Sequence, residues 1–336
     1  MPSTSMAHTV STGLRAALLA ALALSASQAL ADAPKQRLNP MIGLIEQGKP
    51  VMGLYAPSNR KPYGAPADAP TPNKSPAELA KETVSYKLSD FVFDGSMEHD
   101  YEQSLPVFTK FAQALGAEKH LSNSPAPHIA YPMIVKMHEI APDPKLAAKH
   151  IGQQLDLGVS GIMFVDVQNA EEVKHGLAAM RYPAQGGTRA DSVGAGPKYW
   201  GVSEKEYRAK ADLWPLNPNG ELINWVVVES KEGLKNVREI AAVKGIGVLW
   251  PGAGTLRRVF SSPGPDGRPV TDEKAWEGAI QSVLAACKEF KVACGIPTTP
   301  DQIEMRMKQG FSVFVMNWGD AGFKTIEVGR KAGGRS

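Results

Sequence analysis

The chain has 336 residues, 43% hydrophobic and 21% charged, with two cysteines. Its 37 Lys and Arg against 34 Asp and Glu leave a net charge of +3, too balanced for the basic face of a nucleic-acid binder, and no apolar run reaches the roughly 18–20 residues of a membrane span. Two cysteines also exclude a disulfide scaffold and a Cys-rich zinc site.

Residues 1–31 read as a targeting segment. Arg15 precedes an apolar stretch over 16–24, and Ala29-Leu30-Ala31 closes it with small residues before Asp32-Ala33-Pro34. A positive start, a short apolar core and an A-x-A site describe a secretory signal peptide, so the expected mature domain is 32–336, in a periplasm or outside the cell. Residues 39–48 predict a short helix, with Asn39 as N-cap, Pro40 in the first turn and Gly48 as the stop; it suits the bottom of a barrel as a plug.

From there short apolar runs recur at 51–55, 91–93, 133–135, 162–165, 225–228, 247–250, 292–296 and 311–315. Amphipathic stretches at 145–157, 170–180, 230–243 and 277–290 fall between them. Continuous apolarity marks strands covered on both faces, as in a parallel sheet wrapped by helices. Eight such units predict an α/β chain folded as a single (β/α)8 TIM barrel. No G-x-G-x-x-G follows the first run, which speaks against an open dinucleotide-binding sheet. Two segments break the repeat: a Pro-rich insert at 58–75, read as a lid or a solvated insertion, and a Gly-rich excursion at 184–221 with a polar helix near 203–213. Cys287 and Cys294 are seven residues apart on a helix and a strand; a bridge, two packed thiols and a nucleophile all remain open.

In a barrel, functional side chains gather at the C-terminal ends of the strands. Those ends supply Asp94, Glu98 and His99; Lys136 and His138; Asp166, Gln168 and Asn169; Glu229; Trp250 through Gly252-Ala253-Gly254-Thr255; and Asn317 through Asp320. Arg257-Arg258 follows as a basic pair, suited to an acidic or phenolic substrate or to a solvated helix face. Tyr55, Trp250, Met316 and Trp318 give the rim an apolar, aromatic character.

The most specific pieces are Asp94…Glu98-His99, Val167-Gln168-Asn169-Ala170-Glu171-Glu172, Arg181-Tyr182-Pro183 with Gly187 and Arg189, and Val228-Glu229-Ser230-Lys231-Glu232. On these the chain resembles the HpcH/HpaI aldolase/citrate lyase family, pyruvate-type barrels that make or break C–C bonds through a metal-stabilised enolate. The resemblance implies an aldolase acting on a 4-hydroxy-2-oxo acid, a divalent metal (Mg²⁺ or Mn²⁺) as cofactor, and a homo-oligomer. It makes His99 the general base, since imidazole takes and returns protons near neutral pH; Glu98 or a nearby carboxylate such as Asp94 is placed to orient the ring. Lys136 stands where the family has Arg; it keeps the charge without the two-pronged donor and also admits a Schiff-base route, with His138 able to share either role. Glu229 is the retained metal ligand. Thr255 stands where the family's second ligand is Asp, and Val227 where it has Gln. Asp166, on the neighbouring strand, is the candidate replacement ligand, with Asp94 behind it. Trp250, His138 and the Gly254 and Thr255 amides are left for substrate binding. The competing reading is a non-catalytic binding barrel that has lost its metal site.

Overall fold

The computed structural model describes residues 35–59, 68, 70–118, 120–124 and 126–335. The segment read as a signal peptide lies outside them, as does half of 58–75.

Eight parallel strands close on themselves: β1 Val51–Tyr55, β2 Val92–Asp94, β3 Met133–Lys136, β4 Gly161–Phe164, β5 Leu222–Val228, β6 Val248–Pro251, β7 Ala293–Pro297 and β8 Val313–Met316. Each pairs with the next in chain order, and β8 returns to β1 in the register Val51↔Val313 to Leu54↔Met316. This is a (β/α)8 barrel, each strand starting and ending within a few residues of its apolar run.

The apolar runs are continuous because both faces of the sheet are buried. Alternate residues (Ile134, Met163, Trp225, Val227, Val248, Trp250, Val313, Val315) pack inside the barrel. Their neighbours Val135, Ile162, Phe164, Val226, Val228, Leu249 and Phe314 pack outward against the helices. Large aromatic rings fill the interior: Trp225 stacks on Trp250 with centroids 5.5 Å apart, and Phe91 meets Trp225 edge-on at 5.4 Å. Gly295 on β7 makes this possible, since a Cβ there would lie 2.2 Å from the Trp250 ring. Below, the helix Pro40–Glu46 closes the barrel with Met41 and Ile42, both fully buried in the inner cluster. Asn39 caps it, its side chain accepting from the Met41 amide at 3.2 Å.

The outer layer contains the helices Pro76–Ser85, Tyr101–Ala117, Pro144–Asp156, Ala170–Ala179, Glu273–Phe290, Ile303–Gln309 and Asp320–Ala332. The helix expected over 230–243 is instead two, Lys231–Lys235 and Val237–Ala241. The break is at Asn236, whose side-chain amide donates to the Gln168 carbonyl at 2.8 Å and so ties the chain to the loop after β4. The excursion 184–221 is less polar in space than in sequence. Trp200 and Tyr207 are buried in the core, and Arg189 lies over the Tyr182 ring at 4.4 Å while donating to Asp156 at 3.1 Å. Arg181 donates to both Asp212 oxygens at 2.5 and 3.0 Å. These two arginines brace the excursion. Two short hairpins (121–122 with 128–129, and 261–263 with 269–271) have no apolar run to announce them.

Cys287 and Cys294 form a disulfide, with both residues 2% exposed and Cα atoms 5.7 Å apart. It pins the helix Glu273–Phe290 to β7.

Candidate active site

The mouth of the barrel is a cavity of about 660 Å³ at the C-terminal strand ends. Its floor is the last inward-facing layer of the strands: Phe93, Met163, Val165, Val227, Trp250 and Val315, with Tyr55 standing edge-on to Phe93 at 4.9 Å. The polar groups above that floor come from the strand ends and from the turns and helix that follow them.

After β2 the chain turns sharply. Asp94 Oδ1 accepts from the Ser96 amide at 2.8 Å and the Ser96 hydroxyl at 2.5 Å, and a 3₁₀ turn over Ser96–Glu98 follows, anchored by the fully buried Met97. The turn brings Glu98 back to β3, where Lys136 Nζ donates to both of its oxygens at 3.0 and 2.9 Å. Both side chains are about four-fifths buried, at 19% and 18% exposure. His99 is the next residue and stands at the solvent lip, its side chain 88% exposed and Nε2 3.9 Å from Glu98 Oε2.

The ends of β4 and β5 place two acidic residues on one side of the cavity. Glu229 is 7% exposed and accepts from the Asp166 amide at 3.1 Å. Gly252 lies under it, for a Cβ there would come within 2.5 Å of Glu229 Oε2. Asp166 has φ +42°, a left-handed backbone that Asp tolerates better than most residues. Its Oδ2 accepts from the Gln168 side-chain Nε2 at 3.4 Å, and its Oδ1 is buried with no hydrogen-bond partner. The local field is visible one turn away: burial, and to a smaller extent the Asp166 charge, push the Glu172 carboxyl above its ordinary range, against the opposing Gln168 amide bond.

Beyond β6 the helix Ala253–Val259 begins at the cavity edge, so the Gly254 and Thr255 amides belong to its first turn and have no partner within the helix. Arg258 reaches the cavity as well and donates to Thr255 Oγ1 at 3.2 Å. In all, Glu98, Glu139, Asp166 and Glu229 face Lys136 and Arg258 around the mouth, a formal excess of two carboxylates over these two cations.

Of the side chains singled out from sequence, His99, Glu98, Lys136, Asp166, Glu229, Trp250, Gly254 and Thr255 all line this cavity. His138 turns the other way, into the helix layer, where its Nε2 meets His150 Nδ1 at 2.6 Å and its Nδ1 meets the Glu139 carbonyl at 2.8 Å. The reason is alternation: Lys136 faces inward, Met137 packs outward, and the chain leaves the strand before His138. Asp94 is taken up by its turn, and Asn169 caps the helix Ala170–Ala179. Of the aromatic rim, Trp318 donates to Glu82 at 2.9 Å and Met316 belongs to the outer core. Sequence reasoning missed Met163, Glu139 and Pro297 as lining residues, while Val227, two before Glu229, was already singled out. Met163 falls in the apolar run 162–165; nothing in sequence marks Glu139 or Pro297.

The model of the HpcH/HpaI aldolase/citrate lyase family matches residues 113–322. A pyruvate aldolase of Rhizobium etli is 30% identical over 154 residues, 44% of this chain and 52% of that protein, so the chain spans about half the length of this relative. A 4-hydroxy-2-oxo-heptane-1,7-dioate aldolase of Escherichia coli is 26% identical over 198 residues, 56% of this chain and 71% of that one. Among solved structures, a HpcH/HpaI aldolase/citrate lyase family protein from Burkholderia cenocepacia superposes with a TM-score of 0.59 at 19% identity, covering 84% of this chain and 93% of its own, a likeness of fold. With the family model spanning more than half of its residues, the chain belongs to the HpcH/HpaI aldolase/citrate lyase family.

Proposed function

We propose that the protein is a carbon–carbon lyase of the aldolase type, cleaving or forming a 4-hydroxy-2-oxo acid at the barrel mouth. The observation that carries the reading is the pair of carboxylates on the β4–β5 side, Glu229 and Asp166, one of them with a buried oxygen that has no partner. Among the described residues no three His, Cys, Asp or Glu side chains form a ready cation cage. A Mg²⁺-like ion needs less, since it binds through one or two carboxylates and fills its shell with water and substrate oxygens. The unpartnered Asp166 Oδ1 and the excess of two negative charges fit such an ion, and an anionic substrate needs that excess removed before it can enter. Held by Glu229 and Asp166, a divalent cation would supply Lewis acidity at the 2-oxo group.

The chain's own residues account for the rest. Lys136 has three N–H donors; two go to Glu98, leaving one for the oxygen on which charge develops. Held this way, Lys136 acts as a donor, and the Schiff-base alternative first requires breaking the pair. His99 takes the 4-hydroxyl proton as the C3–C4 bond breaks, from a position open to solvent that lets the proton leave. The Gly254 and Thr255 amides hold the substrate's 1-carboxylate, and Trp250 covers the apolar floor.

A non-catalytic binding barrel is the second reading, favoured by Thr255 in the family's Asp position and by the exposure of His99. The two part in one experiment: pyruvate release from a panel of 4-hydroxy-2-oxo acids, with Mg²⁺, Mn²⁺ or Co²⁺ returned to chelator-treated protein. The lyase reading expects cation-dependent turnover that falls at least about 100-fold in Glu229→Ala. Absence of turnover with every metal, together with unchanged substrate binding in that variant, refutes it. We place the protein in an oxidising compartment, periplasmic or extracellular; the order of residues 1–31 and the buried Cys287–Cys294 disulfide support this.

A further inference from the structure

The reaction proposed above uses only part of the rim. Among the described residues, every Asp, Glu, Lys and Arg that lines the mouth belongs to the ends of β2–β6 or to the segments directly after them. The other three strands complete the ring with Pro297 of β7, Val315 of β8 and Tyr55 of β1, and Phe93 of β2 adjoins them. Strand register makes these one surface. Pro297 is paired with Val315 and Tyr55 with Phe93, and the closure of β8 on β1 sets the two pairs side by side. The polar side chains that follow β7 and β8 are engaged elsewhere: Thr299 Oγ1 donates to Asp301 at 2.6 Å, and Trp318 Nε1 to Glu82 at 2.9 Å. Apart from the Tyr55 hydroxyl, the side chains of this arc are carbon alone, and no cation stands among the described residues on it. The cavity, about 660 Å³, leaves most of its volume unfilled by a three-carbon oxo acid.

We propose that the β7–β8–β1 arc binds an apolar group, the alkyl or aryl substituent on the aldehyde-derived half of the substrate, so that the preferred aldehydes are uncharged and hydrophobic. On the aldolase reading the substrate's oxygens set its direction around the ring. The 1-carboxylate lies at β6, the 2-oxo group faces β3–β5 and the 4-hydroxyl lies at His99 after β2. Continued in that direction, the carbon chain beyond C4 meets Tyr55, then Val315 and Pro297. A carboxylate carried there would give up its water against side chains that return no charge or hydrogen bond, whereas an apolar group gains by leaving water. Which half of the substrate meets the arc rests on the aldolase reading; the preference of the arc for carbon over charge does not. In the condensing direction the C3 proton of pyruvate passes to a base, the new bond forms between that carbon and the aldehyde carbon, and the aldehyde oxygen takes up a proton. The substituent takes no part in that balance and serves as an anchor.

The test gives the protein pyruvate, Mn²⁺ and three aldehydes that share the same two methylenes and differ only in the end group: 3-phenylpropanal, butyraldehyde and succinic semialdehyde. Wild type is expected to use them in that order, with kcat/KM for the phenyl compound about 10- to 100-fold above that for the acid, the worth of burying one aromatic ring. Tyr55→Ser should lose much of that advantage while the KM for pyruvate stays within about twofold. Pro297 is exposed, and Pro297→Lys sets a cation on the arc without disturbing the core; it should move the ratio about 10-fold towards the acid. Equal use of the three aldehydes or a preference for the acid in wild type overturns the proposal, as does a ratio that neither variant moves. Calorimetry with Mn²⁺ and two 2-oxo acids, 4-phenyl-2-oxobutanoate and 2-oxoadipate, reads the arc without turnover. Wild type is expected to bind the phenyl compound at least about 10-fold more tightly. Absence of that preference overturns the arc. The preference without condensation of any aldehyde upholds the arc and removes the aldolase reading instead.

Discussion

Replacing Lys136 by Met separates three roles that one lysine at a strand end can have. The Lys136–Glu98 pair is four-fifths buried on both sides. Removing one partner of a fully buried pair costs about 3–5 kcal/mol, and an exposed pair is worth about 0–1 kcal/mol. The structure lies between, so Lys136→Met is expected to lose about 2–3 kcal/mol, most of it from stranding the Glu98 carboxylate. Adding Glu98→Gln removes the stranded charge and is expected to restore much of that loss. Activity follows a different course if Lys136 donates to the substrate: loss of one such donor costs roughly 10²- to 10³-fold in kcat, and the double variant does not regain it. Thermal melts and pyruvate release on the four members of this cycle give both readouts. Activity that returns together with stability in the double variant refutes the donor role, because Lys136 would then only neutralise Glu98. Borohydride trapping of pyruvate on Lys136 refutes it from the other side, by showing the nucleophile.

Asp166→Asn is expected to stabilise metal-free protein by about 1 kcal/mol, read as a higher melting point, since a buried carboxylate oxygen without a partner is replaced by an amide at a backbone angle Asn also accepts. The same change should abolish any melting shift on adding Mn²⁺; a lower metal-free melting point contradicts the account of the site. Reducing Cys287–Cys294 opens a loop of sequence separation 7, for which chain entropy gives about 2.5 kcal/mol; an unchanged denaturation midpoint under reductant counts against this. The His150 imidazole is held below its ordinary range by burial first and the His138 charge second, with Lys149 acting the same way and Glu102 opposing. The unfolded chain then binds a proton that the folded one refuses, so stability is lost as pH falls below about 6.5 towards the depressed folded value. Urea midpoints across pH 7.5–5 should show this slope, and His150→Gln should flatten it.

The barrel was legible because its physics is repetitive. Strands buried on both faces must be apolar throughout, so 133–135 or 225–228 stands out in any window. Elements stabilised by single contacts were not legible. Nothing around Asn236 says that its amide will reach the Gln168 carbonyl and split a helix, and the polar spelling of 184–221 hides Trp200 and Tyr207 in the core. At the site, strand-end position identified His99, Lys136, Asp166 and Glu229, all of which line the mouth. The same rule admitted His138, because sequence does not show whether a residue just past a strand continues its alternation. The Glu98–Lys136 pairing also needed the turn at Asp94 to be seen.

The exchange of Asp for Thr at position 255 has a different meaning once the charges are placed. Glu229 and Asp166 come from the adjacent strand ends of β5 and β4 and are joined through a backbone amide; on the proposed reading these two would hold the cation, and β6 need not supply a ligand. An Asp at 255 would also lie within reach of Arg258, whose Nη2 now donates to the hydroxyl at 3.2 Å, and would neutralise it. Thr keeps that contact while leaving the guanidinium its charge. On the reading proposed above, the mouth is thereby divided into a cation-holding half at β4–β5 and an anion-holding half at β6. Thr255→Asp tests the division directly: it should pair with Arg258 while leaving Mn²⁺ affinity within about threefold. A large gain in Mn²⁺ affinity would instead make position 255 a metal ligand in waiting and undo the argument.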